Sequence, residues 1–282
     1  MQKTKRETKP RHDDRLISSR NDNRIKEIRR LHNRPHRDEK QLYHIEGARF
    51  LWRAFQSGAH IHSIICAPNL MAQAHKPLIQ KFRQHGIPVI EVASEVFHSL
   101  AITDNPQGMI ALVRQRIHPL RKAMTNSHLC WLALSTVQSP GNFGTIMRTA
   151  EAVGATGIFL LSDEIDPYHP ATVRASMGSI FALQFVRCPI SEFLRWKSSQ
   201  DFVLIGTSPK AKTDYRLMHY PEKCVIFMGG ERKGLSTEHQ ALCDAMIKIP
   251  MEGALDSLNL AIATSIILYE IYNQRRLAIT TS

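Results

Sequence analysis

The chain of 282 residues holds no run of about 18 apolar residues, so no membrane-spanning helix is expected. Its first stretch, MQKTKRETKPRHDDR, is charged and has no apolar segment behind it. That is unlike a secretory signal, and a cytoplasmic protein is expected. Cysteine is sparse. Cys66, Cys130, Cys188, Cys224 and Cys243 form no C-x-x-C pair, and several sit in apolar runs such as SIICA and HLCWLAL, so reduced, buried thiols are expected. The 14 histidines include no H-E-x-x-H, and no cysteine pair stands near His60 and His62, so no metal is expected. Neither G-x-G-x-x-G after a strand nor G-x-x-x-x-G-K-[ST] occurs, which argues against nicotinamide-dependent oxidoreductases and P-loop enzymes. Acidic residues are the last deficit. Asp and Glu total 25 against 37 Lys and Arg, a net charge of +12, and such a surface favours a polyanion, nucleic acid first.

What is present falls into four stretches. Residues 1–40 carry 14 Lys and Arg against 7 Asp and Glu, +7 of the total +12, and read as a basic arm disordered to about Arg20. Within it, NRIKEIRRLHNR predicts a short helix with Ile25, Ile28 and Leu31 on one face. The arm either contacts RNA or is a solvated tail. Residues 41–115 alternate helix and strand as a small α/β domain, with Pro77 kinking or splitting one helix. Residues 116–127, RIHPLRKAMTNS, lack periodicity and read as a linker. Residues 128–282 alternate near-continuous apolar strands with helices, the pattern of a parallel sheet buried on both faces. Ligands in such sheets sit beyond the carboxyl ends of the strands.

Three glycine-bearing loops lie there. In SPGNFGTIMRTAEAVGATG, residues 139–157, Asn142 falls where a helix N-cap is expected, and Arg148 lies six residues on among small side chains that predict close packing. In FMGGERKGLS, residues 227–236, Glu231 stands between Gly229, Gly230 and Gly234, either as a first-turn helix residue or as a ligand contact. In IPMEGALDSLNLAIA, residues 249–263, Ser257 reads as a cap for the long closing helix, whereas Asn259 reads as already inside it.

In order and spacing these loops resemble the three motifs of the SpoU (TrmH-like) branch of the SPOUT RNA methyltransferases: N-x-G-x-x-x-R-x-A-x-x-x-G, G-x-E-x-x-G-L and I-P-M-x-G-x-x-x-S-L-N. VRASMGSIF, residues 173–181, resembles the family as well, and LYHIEGARFLWRAF with DNPQGMIALV is similar to its L30e-like substrate-binding domain. The resemblance spans about residues 128–275; SLNLA departs slightly, since the family often has valine after Asn259. It implies an α/β protein whose C-terminal parallel-sheet domain is tied into a trefoil knot behind a smaller N-terminal L30e-like domain. It further implies a homodimer that methylates a ribose 2′-hydroxyl of structured RNA, ribosomal RNA ahead of transfer RNA, with S-adenosylmethionine as cofactor.

Carried over residue by residue, the resemblance makes Arg148 the activating residue and Asn142 a positioner of the ribose or of Arg148. Glu231 would fix the loops, and Ser257 and Asn259 would hydrogen-bond within the site. The cofactor would meet Gly229, Ile249 and Leu258, with Thr207 after the strand DFVLIGT. A guanidinium stays protonated below pH of about 12, so a phosphate clamp that stabilises the developing alkoxide is the preferred role for Arg148 over a general base. A catalytically silent RNA-binding or ribosome-assembly factor with the same fold is the alternative.

Overall fold

The computed structural model describes residues 16–123 and 130–280, and the chain divides into two units after Arg114. Residues 1–15 of the expected arm, 124–127 of the expected linker, and 128–129 lie outside the described residues.

The first unit holds helices α1 (Asn23–Arg30), α2 (Arg34–Lys40), α3 (Ala48–Gln56), α4 (Lys76–Gln84) and α5 (Ser94–His98). Its strands are β1 (Leu42–Glu46), β2 (Ile61–Cys66), β3 (Val89–Glu91) and β4 (Met109–Arg114). They pair in the order β1-β4-β2-β3, with only β2 and β3 parallel. Pro77 sits in the first turn of α4, where its missing N–H costs nothing, and splits off the preceding turn Gln73–His75.

The reading of residues 1–40 as an arm needs correction. Ile17 is buried and bridges to Val92, so order begins before Arg20. Asp22 caps α1, its side chain accepting the Arg24 N–H at 2.8 Å. The predicted apolar face is real, but Ile25, Ile28 and Leu31 pack into one core with Ile65, Val96, Phe97 and Ile110. Each such side chain contributes about 1.5–3 kcal/mol through burial, enough to bind α1 into the domain.

Behind this core His44 is buried with its Nε2 unpartnered, its ring 4.8 Å from that of His32. Burial, with the charges of His32 and Arg37, pushes the His44 imidazole down to about 3, and burial also lowers His32. The unfolded chain therefore binds a proton near pH 6.5 that the folded chain refuses until about 3. Stability is full above the unfolded value and falls as pH drops below it, with His44 contributing a limiting slope of about 1.4 kcal/mol per pH unit. Denaturant melts between pH 7 and 4.5 should show that slope in the wild type and a shallower one in His44→Phe.

In the second unit the strands are β5 (Ile117–His118), β6 (Trp131–Leu134), β7 (Gly157–Leu160), β8 (Gln184–Arg187), β9 (Val203–Thr207), β10 (Thr213–Asp214), β11 (Cys224–Met228) and β12 (Ala245–Lys248). The helices are α6 (Pro140–Ala152), α7 (Pro170–Ala175), α8 (Ile190–Ser198), α9 (Thr237–Ala241) and α10 (Leu260–Thr280). All eight strands run parallel, in the order β10-β12-β9-β11-β6-β7-β8-β5. β6, β7 and β11 are buried at every position, as strands covered on both faces must be.

Part of the expected linker belongs to this unit. Residues 117–118 pair with β8, and Leu120 is buried in the core around Trp131 and Phe159. α7 stops at Ala175, because Met177 and Gly178 take φ of 50° and 92°. α6 packs closely beside it: a Cβ on Gly144 would collide with Ala175. All five thiols are free, and four of them are buried.

Candidate active site

α6 starts at the pair Ser139–Pro140. Ser139 is the N-cap, its hydroxyl accepting the Asn142 N–H at 3.3 Å, and Pro140 opens the helix. Asn142 is therefore not the cap expected from the sequence. It lies inside the first turn, and its side chain is released to face the other two loops.

The second loop leaves β11 at Met228. Gly230 and Gly234 exchange both backbone hydrogen bonds, at 3.1 and 2.9 Å, with Gly234 at φ +61°, so the chain closes on itself around residues 231–233. A Cβ on Gly229 would run into the backbone of Gly234 and Leu235, which is the physical reason for glycine there. Glu231 stands in that small ring. Its Oε1 accepts Asn142 Nδ2–H at 2.5 Å and the Ser139 N–H at 3.3 Å.

The third loop corrects a second expectation. Asn259 is the residue that caps α10: its Oδ1 accepts the N–H groups of Ala261 at 2.9 Å and Ile262 at 3.3 Å. Its Nδ2–H donates to Asn142 Oδ1 at 3.1 Å. Ser257 is exposed two residues ahead and caps nothing. A directed relay thus joins all three loops. The Glu231 carboxylate accepts from Asn142, Asn142 accepts from Asn259, and Asn259 accepts from the amino end of α10.

Beside the relay, at the carboxyl ends of β9, β11 and β12, is a cavity of about 360 Å³. Thr207, Gly229, Ile249 and Leu258 all line it, as do Glu231 and Ser257. Met228, Leu235, Met251 and Ile267 supply an apolar wall, and Lys210, Lys233 and Lys248 put cations at its edge. The size suits a small organic cofactor, and the wall has the mixture such sites show: apolar side chains with few polar groups and backbone that glycine lets close. Sequence reasoning missed the lysines, Met228 and Met251, and Ser139. Only Ser139 carried a signal, Ser followed by Pro at a helix start.

Arg148 stands apart from the relay, and its surroundings differ from the close packing expected. It is exposed, with no hydrogen bond or ion pair among the described residues. On α6 the exposed positions Gly141, Thr145, Arg148 and Ala152 follow one stripe. α10 lies alongside, joined through Thr149 Oγ1 and Ser265 Oγ at 2.8 Å, and shows Ile262 54% and Tyr269 48% exposed. Ile262 and Tyr269 are spaced to share one side of α10 with Ser265, and on α6 Arg148 is next to the Thr149 that Ser265 meets.

Among the described residues, no group of three His, Cys, Asp or Glu side chains is placed to hold a metal, and no helix is long and apolar enough to cross a membrane.

The model of the SpoU rRNA Methylase family matches residues 130–269, and that of the MRM3-like substrate binding domain matches residues 22–111. An uncharacterized tRNA/rRNA methyltransferase of Synechocystis sp. is 30% identical over 257 residues, covering 91% of this chain and 93% of that protein. A 23S rRNA uridine 2′-O-methyltransferase of Streptomyces viridochromogenes is 34% identical over 176 residues, 60% of this chain and 61% of its own. A 23S rRNA guanosine 2′-O-methyltransferase of Bacillus subtilis is 24% identical over 255 residues, 90% and 98% of the two chains. The AdoMet-bound crystal structure of an rRNA methyltransferase from Sinorhizobium meliloti superposes with a TM-score of 0.84 at 35% identity, over 93% of this chain and 97% of that one. The cofactor complex of the SpoU methyltransferase AviRb from Streptomyces viridochromogenes gives 0.81 at 27% identity, over 90% and 98%. Likeness of this extent, running through both units and all three loops, settles the lineage: the chain belongs to the SpoU, or TrmH-like, family of RNA methyltransferases.

Proposed function

We propose that this enzyme methylates a ribose 2′-hydroxyl of ribosomal RNA and works as a homodimer. The observation that carries the reading is the hydrogen-bonded relay Glu231–Asn142–Asn259, which holds the three motif loops together beside a cavity of cofactor size. Ribosomal rather than transfer RNA is favoured because the Streptomyces viridochromogenes and Bacillus subtilis relatives described above are 23S rRNA methyltransferases.

Gly229, Ile249 and Leu258 would hold S-adenosylmethionine largely through backbone groups, with Thr207 and the apolar wall enclosing it. Bound there, the cofactor's sulfonium supplies an electrophilic methyl group and no metal is needed. Asn142 and Asn259 fix the start of α6 and α10 relative to the cavity, so the acceptor ribose meets a set geometry; positioning of this kind contributes about 7–11 kcal/mol in favourable cases. Arg148 reaches outward from α6 to an RNA phosphate and stabilises the alkoxide forming at the 2′-oxygen, while that phosphate or water takes the proton. Ser257, on the cavity rim, hydrogen-bonds to the substrate.

Two copies explain where Arg148 lies. An apolar face containing Ile262 and Tyr269 is costly to leave in water, and a second copy laid on α6 and α10 would cover it and enclose Arg148. Light scattering at micromolar concentration is expected to give a dimer for the wild type. Ile262→Glu with Tyr269→Glu should give a monomer that stays folded and loses turnover; a wild-type monomer would overturn this assembly.

Mapping ribose methylation in ribosomal and transfer RNA from a strain lacking the protein tests the whole reading. One missing 2′-O-methyl mark in ribosomal RNA, restored by the wild type, is the expected result. An unchanged map, with RNA bound independently of cofactor, would make the chain a silent RNA-binding factor.

A further inference from the structure

In the first unit, charge is unevenly placed. Residues 47–90 contain no Asp or Glu, yet include Arg49, Arg53, Lys76, Lys81 and Arg83. This window is α3, β2 and α4. α1 and α5 share the core built on Ile65, Ile110 and Leu112, and neither α3 nor α4 contributes to it. α3 and α4 cover the other side of the sheet and touch through the Phe55 and Phe82 rings, 5.4 Å apart.

The cations of the two sides differ in their partners. On α1 and α2, Arg30 pairs with Glu27 at 2.8 Å, Arg34 with Asp38 at 3.3 Å and Lys40 with Glu39 at 3.1 Å. On α3 and α4, Arg83 pairs with Glu91 at 2.6 Å, but Arg49, Lys76 and Lys81 have no acid within ion-pair distance among the described residues. Lys81 lies instead over aromatic rings, its Nζ 4.4 Å from the centroid of Trp52 and 5.7 Å from that of Phe55. Trp52 and Phe55 are near-parallel, 5.9 Å apart, and both are half-buried. Unneutralised cations beside partly open aromatic rings match what an RNA loop offers, phosphates for the first and unpaired bases for the second.

We propose that the α3–α4 face of the first unit grips the RNA substrate, with Arg49, Lys76 and Lys81 on phosphates and Trp52 stacking an unpaired base. This rests on the reading of the chain as an RNA methyltransferase, and it assigns the grip to this face instead of the basic N-terminal segment.

The test uses the full chain with transcribed 23S rRNA fragments and with oligouridylate. Arg49→Gln combined with Lys81→Gln should weaken binding at least tenfold and lower the slope of log affinity against log salt by about 1.4–1.8, two phosphates' worth. Arg30→Gln combined with Lys40→Gln removes the same charge from the opposite side and should leave the slope unchanged. In a Trp196→Phe background, where Trp131 is buried, oligouridylate should quench the emission of Trp52. S-adenosylmethionine binding should be equal in all variants. Equal losses from both charge pairs, or no loss from Arg49 and Lys81 in a chain that still methylates RNA, would overturn the proposal. In the second case the face belongs to a protein partner. A wild type that binds cofactor and no RNA would sink the functional reading itself.

Discussion

Arg148→Ala is expected to lower methyl transfer at least a hundredfold, about 2.7 kcal/mol of transition-state stabilisation, while S-adenosylmethionine binds as before. The side chain is exposed and has no polar partner among the described residues, so its removal costs the fold less than about 0.5 kcal/mol. A loss of turnover would then be a loss of chemistry and not of structure. It also does not line the cavity, which is why cofactor affinity should hold. Arg148→Lys separates two causes. Lysine keeps the charge and loses the planar fork, so a two-point phosphate clamp stays impaired, whereas a simple need for charge would be met. Single-turnover rates with titration calorimetry on the same preparations decide this. Full turnover in the alanine variant would remove Arg148 from the mechanism.

Asn142→Asp should damage the protein in a different way. The Asn142 amide donates to the Glu231 carboxylate at 2.5 Å; an aspartate there sets carboxylate against carboxylate in a half-buried site. The cost is roughly 2–3 kcal/mol of stability at neutral pH, with loss of the loop geometry and most activity. The sign with pH follows from sharing one proton. One carboxyl of the pair has its folded-state value raised, so the folded variant holds a proton that the unfolded chain gives up. Its stability is retained at low pH and lost as pH rises through that value. Melting temperatures of variant and wild type should therefore converge towards pH 5 and separate towards pH 8. Adding Glu231→Gln restores a donor facing an acceptor, with polarity reversed, and should recover most of the deficit. A gap unchanged across pH, or a double variant no better than the single, would show that the contact does not hold the loops together.

The parts of the molecule that were legible in sequence are those with a strong local signature. Continuous apolar strands announced the parallel sheet, and the three motifs announced the family. The failures share one cause, dependence on partners far along the chain. Ile25, Ile28 and Leu31 form a face that sequence shows, but their partners lie some 40–80 residues away, so a core element looked like part of a tail. LYHIE alternates over only four residues, Tyr43 to Glu46, too short a run to stand alone, and it becomes β1 by pairing with β4. Thr213–Asp214 is a strand because β12 is beside it. The two asparagines were exchanged in role because a cap is defined by where its helix begins. Ser139–Pro140 moved the start of α6 earlier, and the cap of α10 fell on Asn259, two residues later than the expected Ser257. Arg148 looked enclosed because its neighbours are small, yet Gly144 serves α6 against α7 and Thr149 serves it against α10, while Ala152 shares the exposed stripe of Arg148.

The small ring between Gly230 and Gly234 separates two kinds of evolutionary freedom. Glu231 is placed by the length of the ring, since the paired glycines fix both ends and the carboxylate has to arrive opposite Asn142. Arg232 and Lys233 complete the span with exposed side chains, and neither side chain takes part in the relay. They stand on the cavity rim, so a change in them alters the charge met there without moving the relay, provided that their number stays at two. A lineage can retune the charge this loop presents without disturbing the relay, but it cannot lengthen the loop without moving the one carboxylate that all three motifs share.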